Sequence, residues 1–189
     1  PMPDPAPTGN LLWQILLMIV LIFFNAFFAA SEIAIISLND SKIRKMAEDG
    51  HKKARLVLAL TEDSSRFLAT IQIGVTLAGF FTSALAAQSL AEPFSAWLQS
   101  VIPAAKAHGE LLFSISTVLI TLLMSYFTLV LGELVPKRIA MQKTESIAFG
   151  VAPVLRTIAV ITKPFVKLLS ASTNLVVRLF GLDPHADEE

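Results

Sequence analysis

Two glutamates and an asparagine stand in stretches that are otherwise apolar, and their types define the chemistry open to them. FFNAFFAASEIAII, residues 23–36, holds Asn25 and Glu32, and GELVPK, residues 132–137, holds Glu133. On a helix Asn25, Ala29 and Glu32 fall at i, i+4 and i+7, so amide and carboxylate share a face with a small residue between them. Pro136 has no N–H and leaves the helical carbonyl of Gly132, directly beside Glu133, without its usual partner. A freed carbonyl at membrane depth needs water, a hydroxyl or a cation. Two carboxylates, an amide oxygen and a released carbonyl form a hard-oxygen set, which suits Mg²⁺ or Ca²⁺ better than a metal held by thiolate or imidazole. Two negative charges also match one divalent cation and offset the penalty of bringing it into a low-dielectric site. The same carboxylates have a second reading, as structural ion pairs with Lys137, Arg138 or Arg66. Hydrolytic chemistry lacks its parts: no histidine, cysteine or aspartate falls in the apolar stretches. The chain is therefore expected not to be an enzyme.

The elements that must position these groups follow from composition. Of 189 residues, 54% are apolar, more than one small soluble core uses. Leu11–Ser31, Phe67–Ala91 and Leu111–Gly132 contain no Asp, Glu, Lys or Arg, and each is long enough to cross a bilayer as a helix. The expected fold class is an all-α integral membrane protein with three transmembrane helices per subunit, over about 11–38, 66–91 and 111–136, plus amphipathic cytoplasmic juxtamembrane helices over about 40–61 and 144–180. Lys and Arg are absent from residues 1–41, number seven between Lys42 and Arg66, one at Lys106, and seven from Lys137 to Arg178. The positive-inside rule then sets the N-terminus (residues 1–10) and the 92–110 loop outside, and the C-terminus in the cytoplasm. Glu32 and Glu133 both fall near the cytoplasmic ends of their spans, so they share a level. Nothing in the basic residues suggests nucleic-acid binding, since they flank membrane segments.

Local signals mark several boundaries. Asn39, Asp40 and Ser41 are N-cap types for the helix that follows, and Gly50 is expected to interrupt it. The second span is expected to end near Pro93, with FSAWLQSV as a short helix on the outer surface. In the C-terminal third, Arg156, Lys163, Lys167, Asn174 and Arg178 recur at intervals of 7, 4, 7 and 4 and form one polar stripe. Such a stripe favours a helix lying along the cytoplasmic interface, broken or kinked near Pro153 and Pro164, over a fourth crossing. Small and hydroxyl residues line one face of the second span (Gln72, Thr76, Gly79, Ser83) and of the third (Ser114, Thr117, Thr121, Ser125, Thr128). Close packing and back-bonding account for most of these, and Gly74 and Gly79 are expected at close contacts. His51, His108 and His185 fall in expected loops as surface residues.

NAFFAASEIAIISL, RFLATIQIGVTLAG and LVLGELVPKRIA together resemble the transmembrane domain of the bacterial CorC and animal cyclin M (CNNM) magnesium transporters, over about residues 11–180. The resemblance implies a homodimer in the cell inner (plasma) membrane, with a Mg²⁺ site in each subunit open to the cytoplasm. It implies Mg²⁺ transport, outward and exchanged for Na⁺, with Mg²⁺ as cargo. It also implies a pair of nucleotide-binding CBS domains following the membrane domain; residues 181–189 then read as the start of the linker to them, and ATP regulation is not expected of this chain. Position by position, Asn25, Glu32 and Glu133 match the family's polar membrane residues, while Gly132 and Pro136 match its Gly-Glu and Pro pattern. Ser31 joins them as a second-rank ligand that needs a local helix distortion to turn inward, Ala29 as a backbone carbonyl, and Gly79 with Thr76 as oxygen from the second span. Alternating exposure of that site, by rocking of helices about small-residue contacts, is the expected mechanism. The alternative function is a membrane anchor and dimerisation module that holds cytoplasmic regulatory domains and transports nothing.

Overall fold

The computed structural model describes residues 8–62, 64–102 and 109–181, and among them every regular element is a helix. The chain runs α1 (Thr8–Ile36), α2 (Asp40–Glu48), α3 (Lys52–Thr61), α4 (Ser64–Val101), α5 (Gly109–Leu129), a π-helical turn (Val130–Leu134), α6 (Val135–Gln142) and α7 (Thr144–Leu179). Four stretches are long and apolar enough to cross a membrane: Leu11–Ile36, Phe67–Val101, Gly109–Gln142 and Thr144–Leu179. That is one more than the three expected from sequence, because α7 also meets the test of length and apolarity.

Helix ends follow local chemistry. The Asn39 side chain accepts from the Lys42 N–H at 3.0 Å and starts α2. Gly50, at φ +92°, makes the left-handed break that separates α2 from α3, as expected of a glycine there. His51 is no idle surface residue. Its Nδ1 accepts the Ala54 N–H at 3.2 Å, capping α3, and its ring lies 5.1 Å from that of Phe149 on α7.

The expected ending at Pro93 is corrected: α4 runs through it to Val101, so FSAWLQSV is the last part of a 38-residue helix and not a separate one. Likewise α7 is a single helix of 36 residues with Pro153 and Pro164 inside it, so neither proline breaks it. A proline removes only its own N–H from the ladder, and a long apolar helix held by neighbours keeps the rest.

Most of the buried core lies at one end of the bundle. Ile35 of α1, Ile43 of α2, Val57 of α3, Ile71 of α4, Ala140 of α6 and Leu155 of α7 belong to one buried cluster where the short helices meet the long ones. Toward the other end the core thins to Met18, Ala86 and Ile120. The long helices instead turn Phe23, Phe80, Leu122 and Tyr126 outward, an apolar exterior suited to hydrocarbon. An ion pair between Lys42 and Glu145 and a bond from Arg55 Nε to the Ala47 carbonyl at 3.0 Å tie the short helices to each other and to α7.

Candidate functional site

The third long stretch is not a uniform helix. Between α5 and α6 the chain widens into the π-helical turn Val130–Leu134, and the Val135 N–H closes onto the Val130 carbonyl five residues back. Such turns add a residue to one coil and recur at functional sites. Here the widening sits immediately before Pro136, where the α ladder would in any case lack a donor. The Gly132 carbonyl is not left free: Asn25 Nδ2 of α1 donates to it at 3.1 Å. Gly132 is buried so tightly that a Cβ there would stand 2.9 Å from that same nitrogen, which explains the need for glycine. Asn25 is almost fully buried, and its other polar atom, Oδ1, has no partner.

Glu32 and Glu133 converge. Lys137, one α-turn past Glu133, places its Nζ 3.0 Å from Glu133 Oε1 and 3.0 Å from Glu32 Oε2. The two carboxylates, from helices over a hundred residues apart in sequence, therefore hold one ammonium group between them and lie no more than twice that distance apart. All three side chains are between a quarter and a third exposed, so the cluster is half-buried and open on one side. Neither sequence reading predicted this in full. The glutamates do face each other, as cation binding requires, and a lysine does pair with them, as the ion-pair reading requires. Arg138 is exposed, and the side chain of Arg66 lies outside the described residues.

Glu133 also borders a cavity of about 440 Å³ between α1, α4 and α5. Asn25 of α1, Thr76, Gly79 and Ser83 of α4, and Ser125 and Thr128 of α5 line it, with Val75, Phe80 and Leu129 as its apolar walls. Thr128 contributes a second buried oxygen without a partner. The profile of the family described as "Cyclin M transmembrane N-terminal domain" matches residues 16–189, and so takes in every group of this site. The chain belongs to the cyclin M transmembrane-domain family.

The chain is also similar to several bacterial proteins. UPF0053 protein sll0260 of Synechocystis is 40% identical over 169 residues, covering 89% of this chain and 37% of that protein. UPF0053 protein YhdT of Bacillus subtilis is 30% identical over 177 residues, 93% of this chain and 37% of that one. UPF0053 inner membrane protein YfjD of Escherichia coli is 27% identical over 158 residues, 84% of this chain and 33% of that one. The chain thus spans 33–37% of the length of these relatives. With its long apolar helices, this cyclin M domain is a multi-pass membrane domain.

The structure sorts the expected site residues into three groups. Asn25, Gly132 and Glu133 are brought together at the π-turn, and Gly79 faces them across the cavity. No atom lies within 4 Å of where a Gly79 Cβ would stand, so Gly79 is not the close contact that was expected; Gly74 is, with the Phe28 ring at 2.5–2.6 Å. Glu32 joins them through Lys137. Ala29 and Ser31 are fully buried in uninterrupted α-helix, and Ser31 Oγ donates to the Phe27 carbonyl at 2.6 Å. The helix distortion proposed for α1 is found in the cyclin M domain's third stretch instead. Among the described residues no three His, Cys, Asp or Glu side chains gather, so a divalent ion here would draw on amide, backbone, hydroxyl or water oxygen beyond the two glutamates. His108 and His185 lie outside the described residues.

Proposed function

We propose that this domain binds Mg²⁺ between Glu32 and Glu133 and carries it across the membrane. The observation that supports the reading is the convergence of two carboxylates from separate helices on one positive group, with Glu133 sharing a cavity with Asn25, whose buried oxygen lacks a donor. A pair of acidic oxygens at membrane depth is costly unless something positive belongs there. Two carboxylates and a neutral amide oxygen supply the hard ligands Mg²⁺ takes, with water completing its six positions. Glu32 and Glu133 carry the charge, Asn25 and the Gly132 carbonyl lend neutral oxygen, and Gly79 keeps the cavity open.

In this reading the domain sits in the inner membrane as a homodimer with the N-terminus outside and the C-terminus in the cytoplasm. The first three long stretches are the spans. Arg156, Lys163, Lys167 and Arg178, all exposed on α7, keep that helix along the cytoplasmic interface. Transport runs outward in exchange for Na⁺, and CBS domains in the full-length protein regulate it. The test is Mg²⁺ flux in proteoliposomes. Wild-type chain moves Mg²⁺ down an imposed gradient, whereas Glu32→Gln and Glu133→Gln reduce the flux to that of empty vesicles while still melting cooperatively.

One observation favours a second reading, in which the domain is an anchor: Lys137 already satisfies both carboxylates as a structural ion pair. Under that reading the glutamine variants lose stability, and wild-type and variant vesicles alike show no flux.

A further inference from the structure

We propose that Lys137 is a tethered counter-cation, occupying the carboxylate pair when no divalent ion is bound and withdrawing when one enters. This inference rests on the Mg²⁺ reading above and deepens it. Its ground is the placement of a single ammonium at 3.0 Å from Glu32 Oε2 and 3.0 Å from Glu133 Oε1. An ammonium has three donors and no acceptor, so Lys137 serves this pair as a positively charged donor, and its Nζ donates to Glu133 Oε1.

Charge and distance both disfavour shared occupancy. With Lys137 in place the cluster carries two negative charges and one positive, −2 + 1 = −1. Adding a divalent ion beside the ammonium would give +1 and set two cations in contact, whereas a divalent ion with Lys137 withdrawn gives zero. Mg²⁺ also needs its oxygens at about 2.1 Å, and two cations do not fit between the same two oxygens. The lysine has the means to leave: its side chain is 27% exposed, on a flexible four-carbon stem. It also has cause to return. Two carboxylates left facing each other without a counter-charge repel, and the returning ammonium removes that repulsion. Lys137 therefore lowers the affinity of the site and favours release of the ion, because the emptied site closes on a charge the protein already owns.

The experiment is isothermal titration of MgCl₂ into the full chain in dodecyl maltoside, for wild type, Lys137→Gln and Lys137→Arg, with thermal melts to verify folding. Removing the competitor in Lys137→Gln should tighten Mg²⁺ binding by about tenfold or more. Lys137→Arg, whose planar fork grips carboxylates more firmly, should weaken it by about threefold or more. A lysine that merely ties α1 to α6 predicts the opposite order, with arginine restoring wild-type behaviour and glutamine losing affinity. If wild type binds and Lys137→Gln binds no tighter, the counter-cation is overturned and the Mg²⁺ reading stands. If wild type shows no saturable heat but Lys137→Gln does, the counter-cation is supported in its strongest form. Silence from wild type and both variants overturns the site itself together with the inference. Should Lys137→Gln fail to fold, Lys137→Arg decides alone: weaker binding supports the competition, equal or tighter binding refutes it.

Discussion

Gly132→Ala tests whether the π-turn and α1 fit together as described. The added Cβ would stand 2.9 Å from Asn25 Nδ2, 3.3 Å from Asn25 Cβ and 3.4 Å from the Ile22 carbonyl oxygen. The first contact is too short to survive, so either the asparagine swings away or α1 retreats. Three effects compete. Alanine gains about 1 kcal/mol over glycine in a helix interior. Overpacking costs about 1–3 kcal/mol, and a buried amide that loses its carbonyl partner costs about 1–3 kcal/mol more. The net is a loss of about 1–5 kcal/mol, and a chain of this size loses about 2–4 °C of Tm for each kcal/mol. Gly79→Ala is the control. Its Cβ meets nothing within 4 Å, so only the helix gain remains and Tm should hold or rise. Thermal unfolding in detergent reads both, and MgCl₂ titration of the same samples should show Gly132→Ala losing affinity along with stability. Equal melting of Gly132→Ala and Gly79→Ala would refute the Asn25–Gly132 contact, whatever either does to flux.

Other substitutions probe the frame around the site. Gly50→Ala forces a Cβ into φ +92° and should cost about 1–2 kcal/mol, seen as a lower Tm and faster proteolysis between α2 and α3. His51→Ala removes an N-cap worth about 1 kcal/mol and the contact with Phe149; His51→Asn should restore the cap and recover part of the Tm. Thr128→Val replaces a buried hydroxyl that has no partner with a methyl of similar shape. Stability should then be unchanged or rise by about 1 kcal/mol, and a marked fall in Tm would show that the hydroxyl is engaged after all.

What the sequence disclosed tracks the range of the forces involved. Asn39 and Gly50 were legible because capping and left-handed turns are decided within a few residues; Gly181, at φ +75°, ends α7 by the same local chemistry, donating its N–H to the Arg178 carbonyl at 2.9 Å. Pro93 misled, and Pro153 and Pro164 leave α7 unbroken, because a proline's local penalty is fixed, while the burial that holds a long helix together is set by partners distant in sequence. The back-bonding expected of the hydroxyl stripes is present at Ser114 and Thr117, whose oxygens donate to carbonyls one turn earlier. Thr128, on the same stripe as Ser114 and Thr117, breaks the pattern by facing the cavity unpaired. Pro136 signalled a disturbed ladder, but not that a π-turn would absorb it or that Asn25 would take the Gly132 carbonyl. Those outcomes depend on how closely α1 approaches, which no local pattern encodes.

The acceptor groups of the site share one property that bears on how it would work. The Gly132 carbonyl faces an amide N–H and both carboxylates face an ammonium, so the protein itself supplies a positive partner to these three, while Asn25 Oδ1 has none. An entering ion must therefore replace contacts that already exist, and it must do so at shorter range. Exchanging an ammonium at 3.0 Å for Mg²⁺ at about 2.1 Å draws each carboxylate oxygen inward by about 0.9 Å. Glu32 rides on α1 and Glu133 on the π-turn, so that contraction pulls two separate helices toward each other. Glu32 lies next to Ala34 and Ile35, which belong to the cluster that also contains Val57 of α3 and Leu155 of α7. Close-packed interiors shift as units and do not stretch smoothly. Under the proposed Mg²⁺ reading, ion occupancy would then be coupled through α1 to the seating of the short helices on the bundle, and a pull on α2, α3 or α7 from outside the domain would reach the carboxylate pair by the same route.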